Sequence, residues 1–280
     1  MTRFDYHSHH YRCGHASGGM RDYIEAALAL EMTSFGVADH GPAYWVNGID
    51  HAYPLTQMAV SELPVYVAEA RALQSEFGGR IDVRVGLEAD FVPGRAADLA
   101  ELLSANSFDY VLGSVHYVLG RSVFDRARWR QEDPVAVWRE YYKLVIEAAQ
   151  SGLFDILSHL TVVEAYSPPV PDALTRELYP PVAEAVASAG CAVEINTSGY
   201  RKMPPGPDRS GDEPFPNRVM LRELIRCGVP LTFGSDCHKP DDVGFGHERV
   251  MALLAELGVD TQEPVAVRIR REPIGVYRTA

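Results

Sequence analysis

Histidines at positions 7, 9 and 15 fall within one short stretch, Asp5–His15, which reads Asp-Tyr-His-Ser-His-His-Tyr-Arg-Cys-Gly-His. Arg3–His7 has the makings of a short strand, and side chains two apart on a strand share a face, so His7 and His9 point the same way. Two imidazoles aimed into one cavity can begin a metal site. The same pair can also be a hydrogen-bonded polar arm, and the rest of the chain decides between these.

Ten histidines are present, and their positions are informative. His40 follows Ala38-Asp39, Glu88 closes Val85-Gly86-Leu87, His116 closes Gly113-Ser114-Val115, and His159 closes Leu157-Ser158. Asp236 and His238 end Gly234-Ser235-Asp236-Cys237-His238. Each lies where an apolar run stops. Nitrogen and carboxylate-oxygen donors without a thiolate set suit Zn²⁺, Mn²⁺ or Fe²⁺ better than Mg²⁺ or Ca²⁺. The donors outnumber the four to six positions around one ion, so two or three ions sharing a carboxylate are expected.

The elements that must position these residues alternate. Strands are expected at Arg3–His7, Ser34–Asp39, Ile81–Glu88, Tyr110–His116, Phe154–His159, Ala192–Asn196 and Pro230–Asp236, mostly as continuous apolar runs buried on both faces. Helices are expected at Met20–Glu31, at Val60–Phe77 broken early by Pro64, at Arg95–Leu103, and at Asp133–Ser151 with Asp133 as N-cap. More follow at Asp172–Ala189, kinked or restarted at Pro180-Pro181, at Asn217–Cys227 and at Asp241–Leu257. Strand–helix alternation implies a parallel sheet. A closed barrel gathers every strand end around one mouth, the face that carries active sites, so a barrel is preferred to an open sheet. Long loops at Gly41–Gln57, Tyr117–Glu132 (a small hairpin) and Tyr200–Pro216 are expected to face the substrate.

One domain over residues 1–280 is expected, with 46% hydrophobic and 23% charged residues giving an ordinary globular balance. A net charge of −12 argues against nucleic acid and anionic membrane as partners. No run of about 18 apolar residues marks a membrane span, and Met1–Asp5 has no apolar signal core. Cys13, Cys191, Cys227 and Cys237 lack CxxC spacing, which suits a reducing cytoplasm. Oligomeric state is not encoded in any of these features. No GxGxxG or P-loop signature occurs.

Taken in order, His7-Ser-His9 with His15, Ala38-Asp39-His40, Gly86-Leu87-Glu88, Gly113-Ser114-Val115-His116, Ser158-His159 and Gly234-Ser235-Asp236-Cys237-His238 resemble the polymerase and histidinol phosphatase (PHP) superfamily. Val193–Lys202, Glu213-Pro214-Phe215-Pro216 and Ser235–Gly244 resemble its histidinol-phosphatase branch. The resemblance implies a distorted (β/α)₇ TIM-like barrel and three divalent ions. His7, His9, Glu88 and Asp236 would hold one ion; Glu88, His116 and His159 a second; His15, His40 and His238 a third. Asp39 would orient an imidazole. His10, His51 and His247 have no place in the pattern.

The implied activity is hydrolysis of L-histidinol phosphate, a small phosphomonoester, by a metal-bridging hydroxide. Arg201 and Lys202 could bind the phosphate, and Asp236 or His238 could protonate the leaving alkoxide. Glu164, Asp90, Tyr117, Tyr166 and Tyr200 are candidates for the substrate's amine and imidazole. The nearest rival is a PHP phosphoesterase acting on nucleotides or another monoester. An eight-stranded amidohydrolase lacks its strand-end lysine here, and a non-catalytic module would lack ligands.

Overall fold

The computed structural model describes residues 3–46, 56–202 and 212–279. His51 and the middle parts of the Gly41–Gln57 and Tyr200–Pro216 loops lie outside these residues.

Eight short strands form the framework: β1 Phe4–Asp5, β2 Ser34–Val37, β3 Asp82–Val85, β4 Glu88–Asp90, β5 Leu112–Ser114, β6 Ile156–Leu157, β7 Ala192–Asn196 and β8 Leu231–Gly234. They pair in parallel as two sheets, β1-β2-β3 and β8-β7-β6-β5-β4. Every residue of β2, β7 and β8 is buried, the mark of strands covered on both faces. The expected strand Ile81–Glu88 is divided: the chain leaves one sheet at Gly86-Leu87 and enters the other. Gly86 N–H donates to Val37 O (2.7 Å) and Glu88 N–H to Asp39 O (3.1 Å), bridging that seam.

The second seam joins β1 to β8. Tyr6 N–H donates to Phe233 O (3.1 Å), Asp236 N–H to His7 O (3.0 Å) and His9 N–H to Cys237 O (2.9 Å). Buried Asp5 reinforces it, accepting from the N–H groups of Ser235 (2.9 Å) and Gly244 (3.0 Å). The ladder is therefore interrupted at two places, each spanned by isolated backbone bonds, and the α/β architecture is a distorted ring of parallel strands.

Helices cover the outside: α1 Met20–Ala29, α2 Glu62–Glu76, α3 Ala96–Ser104, α4 Pro134–Gln150, α5 Asp172–Ala189, a turn α6 Gly199–Lys202, α7 Arg218–Arg226 and α8 His247–Glu256. Asp133 caps α4 by accepting from Val135 N–H (3.1 Å), with Pro134 opening the helix. Asn217 caps α7 through Met220 N–H (3.0 Å). Pro64 does not break α2. It sits in the first turn, where the N–H it lacks has no partner within the helix. Pro180 and Pro181 lie inside one helix, whose buried face (Leu174, Tyr179, Val182, Val186) is held between α4 and α7. The last helix is shorter than expected: Gly244 and Gly246 at φ 68° and 74° separate a 3₁₀ turn at Pro240–Asp242 from α8. Tyr117–Val118 and Arg121–Ser122 form the expected hairpin.

The floor of the ring is filled by Tyr110. A Cβ at Gly36 or Gly86 would fall 2.0 or 2.4 Å from its ring or hydroxyl, and that hydroxyl donates to Tyr6 O (2.6 Å). The side chains above this floor belong to the site.

Candidate metal centre

The strand ends converge on one carboxylate, Glu88. Around its Oε2 lie His40 Nδ1 (2.7 Å), His7 Nε2 (3.3 Å) and His9 Nε2 (3.5 Å). Around Oε1 lie His159 Nε2 (3.0 Å) and His116 Nε2 (3.5 Å), and Ser114 donates to the same oxygen (2.5 Å). Asp236 Oδ1 stands 3.1 Å from His9 Nε2 and 3.9 Å from His7 Nε2. His15 and His238 meet through their Nε2 atoms at 2.9 Å. All nine expected ligand residues are thus gathered at one end of the ring.

Three donor groups lie within 4.8 Å internally: His7, His9 and Glu88; His40, Glu88 and His116; His9, His40 and His238. The first and second expected sets come together with their members adjacent. The third is looser, because His40 turns its Nδ1 to Glu88, with its ring centroid 5.3 Å from His15 and 6.4 Å from His238. A fourth group, His9, Cys13 and Asp39, includes a thiol. Burial pushes the Cys13 thiol far above its ordinary range, and it donates to His10 O (3.1 Å), so it is an inert neighbour.

The donor atoms fit cations. His7 Nε2, His9 Nε2 and Glu88 Oε2 are buried and make no well-aligned hydrogen bond, only the imidazole–carboxylate contacts given above, a crowding of donor atoms that a cation would relieve. Carboxylates on the far side of the rings explain how those nitrogens come to face the site. His7 Nδ1 donates to Glu194 (2.6 Å), His9 Nδ1 to Asp39 (3.1 Å) and His116 Nδ1 to Asp90 (3.0 Å). Each carboxylate fixes a ring through Nδ1, so that the ring presents an Nε2 lone pair to the site once its second proton is lost. His238 Nδ1 likewise meets Asp236 O (3.0 Å), so its Nε2 carries a lone pair.

Glu194 and Asp90 as imidazole-orienting groups were missed. Glu194 had a signal: it is the one carboxylate within the apolar run Ala192–Asn196. It also accepts from His159 N–H and Asn196 Nδ2, both at 3.0 Å. Asp90 is held in turn by Gln57 Nε2 (2.7 Å). His10 joins too, its Nδ1 3.0 Å from Asp39 Oδ2, because the strand ends at Asp5 and strict alternation stops there.

Burial opposes charge on every group here, and neighbours decide the balance. His7 is desolvated, yet Glu194, Glu88 and Asp236 together hold its pKa well above the ordinary value. His9 is desolvated too, yet bonds to Asp236 and Asp39 raise it to about 9. Glu88 and Asp236 are pushed up by burial, but His40 and His7 around the first, and Lys202 and His7 around the second, hold both well below the carboxylate range. Burial followed by nearby His40 and His9 lowers His15 to about 4. His159 and Asp236 also adopt left-handed backbone at φ 25° and 53°, strain that clusters at functional sites.

A cavity of about 590 Å³ opens above the cluster. Lys202 lines it, with Nζ 2.9 Å from Asp236 Oδ2. Arg201 does not; it pairs with Asp242 (2.8 Å) and donates to Ser235 O. Asp90 and Tyr117 line the cavity, whereas Glu164, Tyr166 and Tyr200 do not. Glu164 is committed to Tyr179 and to Asn217 Nδ2 (2.9 Å), and Tyr200 lies under the Arg249 guanidinium at 3.6 Å. A groove of about 600 Å³ at the opposite ends of β2 and β3, beside Met32 and Asp82, holds no histidine.

Parallel strands with helices outside, and histidines and carboxylates gathered at the strand ends, define the class as an α/β protein of the TIM-like kind with a donor cluster that could hold metal. The profile of the PHP domain matches residues 5–198, and the chain belongs to that family. It is 37% identical over 259 residues to a probable histidinol-phosphatase of Deinococcus radiodurans, covering 91% of this chain and 93% of that protein. The histidinol-phosphatase of Bacillus subtilis is 27% identical over 89% of this chain and 98% of its own. The crystal structure of histidinol phosphate phosphatase from Lactococcus lactis, complexed with zinc, L-histidinol and phosphate, has the same fold: TM-score 0.76 at 23% identity, covering 92% of this chain and 94% of that one.

Proposed function

We propose that this chain is a metal-dependent phosphomonoesterase that hydrolyses L-histidinol phosphate to L-histidinol and phosphate, a step of histidine biosynthesis. The observation that carries the reading is the convergence of five imidazoles on Glu88, with buried donor atoms crowded among them. The substrate's identity is supported by the relatives named above.

Three divalent ions (Zn²⁺, Mn²⁺ or Fe²⁺) would be held by His7, His9, Glu88 and Asp236, by Glu88, His116 and His159, and by His15, His40 and His238. When bound they would supply activated water at neutral pH, Lewis-acid polarisation of the phosphate oxygens, and charge to balance the leaving alkoxide. The protein's residues do the rest. Glu194, Asp39 and Asp90 keep the imidazoles in the ligating tautomer. Ser114 holds Glu88 Oε1 and so fixes how the shared carboxylate is turned. Lys202 offers an ammonium to the phosphate from the cavity wall, a charge-assisted contact; Arg201 steadies the Asp242 turn beside it. As the water oxygen bonds to phosphorus and gives up a proton, the P–O bond to the alcohol breaks and the departing alkoxide takes up a proton in its place, so that ester and water become alcohol and phosphate.

Among the described residues no helix is long and apolar enough to cross a membrane. Four unpaired cysteines support a cytoplasmic setting.

The test is a panel of phosphomonoesters assayed on chelated protein restored with each metal separately. L-histidinol phosphate should give the highest kcat/KM. A nucleoside monophosphate that outperforms it would overturn the substrate, and full turnover without metal would overturn the mechanism.

A further inference from the structure

The cavity has two unlike sides. One is the cluster of imidazoles and carboxylates with Lys202. The other comes from the Tyr117–Glu132 segment and contributes Tyr117, Ser122 and Phe124. We propose that Phe124, with Tyr117 beside it, is the specificity-determining wall, and that it receives the planar ring of the alcohol esterified to the phosphate. The inference rests on the phosphomonoesterase reading and deepens it by naming what selects the leaving group.

Phe124 stands where such a ring must fall. Its centroid is 5.7 Å from that of His116, so the apolar wall begins where the donor cluster stops. A phosphate seated at the cluster, carrying a ring on a short aliphatic spacer, places that ring against this wall. An aromatic face stacks a planar ring in an offset or edge-on arrangement, and a branched polyol offers it nothing comparable.

The wall is built, not incidental. Behind Phe124 lies the edge of Tyr166 (6.2 Å), itself under the Arg126 guanidinium (4.2 Å). Lys202 Nζ sits 5.5 Å from the Phe124 centroid, which couples the phosphate-facing cation to the ring. Tyr117 is backed edge-on by Trp45 (5.5 Å), reaching in from the Gly41–Gln57 loop. The hairpin that presents these rings is fastened from inside by Arg128, which is fully buried. Its guanidinium donates to Arg121 O (2.9 Å) and Val118 O (3.2 Å) and pairs with Glu132 (2.7 Å). Val123 N–H donates to His116 O (2.8 Å), tying the residue before Phe124 to a ligand's own backbone. A segment anchored at both the ligand and the hairpin holds a ring at a set distance from the reacting phosphorus.

The experiment compares wild type, Phe124→Ala and Phe124→Leu, each loaded with the same metal, on three monoesters. L-histidinol phosphate and 2-phenylethyl phosphate carry a ring; glycerol 2-phosphate does not. The ratio of kcat/KM for each ring-bearing ester to that for glycerol 2-phosphate should fall about tenfold in Phe124→Ala, chiefly through KM, and less in Phe124→Leu. Metal content, read by elemental analysis, should match wild type in both. Equal losses on all three esters, or unchanged ratios in Phe124→Leu and Phe124→Ala, would overturn the inference. Failure of the substrate reading looks different: wild type would then favour 2-phenylethyl phosphate over L-histidinol phosphate while Phe124→Ala still lost both.

Discussion

At the scale of single residues, the site is a contest between desolvation and charge. His9 would lose its proton readily on burial alone, but Asp236 and Asp39 hold its pKa at about 9 in the metal-free protein. A group raised in the folded state contributes stability below its unfolded pKa, near 6.5, and loses that contribution as pH rises through about 9. A metal ion arriving at His9 Nε2 must displace this proton. Metal affinity should therefore rise with pH up to about 9, and binding at pH 7 should release protons. Calorimetric titration in buffers of different ionisation enthalpy reads that number; an enthalpy independent of buffer would contradict it.

Elements matter through the space they leave. β7 and β8 are paired with Glu194 opposite Thr232 and Asn196 opposite Gly234. A Cβ at Gly234 would fall 1.8 Å from Glu194 Oε1 and 2.8 Å from His7 Cβ. The strand ends in glycine there so that the neighbouring strand's carboxylate can reach His7. Gly234→Ala should displace Glu194 and cost about 10–100-fold in metal affinity, the usual effect of losing a group that orients a ligand. Chelator competition measures it, and an unchanged affinity would mean Glu194 does not set the His7 ring.

Across the whole molecule, the candidate ligands come from the ends of nearly every strand, and the two seams of the ring carry few backbone bonds. Ions that bind only the folded state should therefore stiffen the barrel as one unit. At a free concentration about 100 times Kd, the gain is about 2.7 kcal/mol, several degrees in Tm for a chain of this length. Chelation should lower Tm by that much in a single transition by calorimetry. A separate early transition would show instead that the two sheets melt apart.

Much of this was legible beforehand. The nine candidate ligand positions that the fold brings together, the alternating parallel strands and the helix cap at Asp133 follow from residue type and spacing, because strand ends and caps are local signals. Pro64 misled, since a local rule does not know that it sits in a first turn, and Pro180-Pro181 do not restart the helix, which runs on between two others. Glu194, Asp90 and Gln57 were legible only in part: a carboxylate in an apolar strand is a signal, but which imidazole it faces depends on register between strands far apart in sequence.

The sequence by itself determined the donor inventory, the order in which strands present it, and the ordinary chemistry that histidine and carboxylate ligands allow. Only the tertiary structure decided that His40 turns its Nδ1 to Glu88, that Arg201 turns away while Lys202 faces the cavity, and that an aromatic hairpin closes one side. Those outcomes depend on angles between strands and on which loops meet, set by packing across the ring. Spacing along a chain constrains distance only between near neighbours; the site is made by residues as far apart as His15 and His238, whose ring nitrogens end 2.9 Å apart.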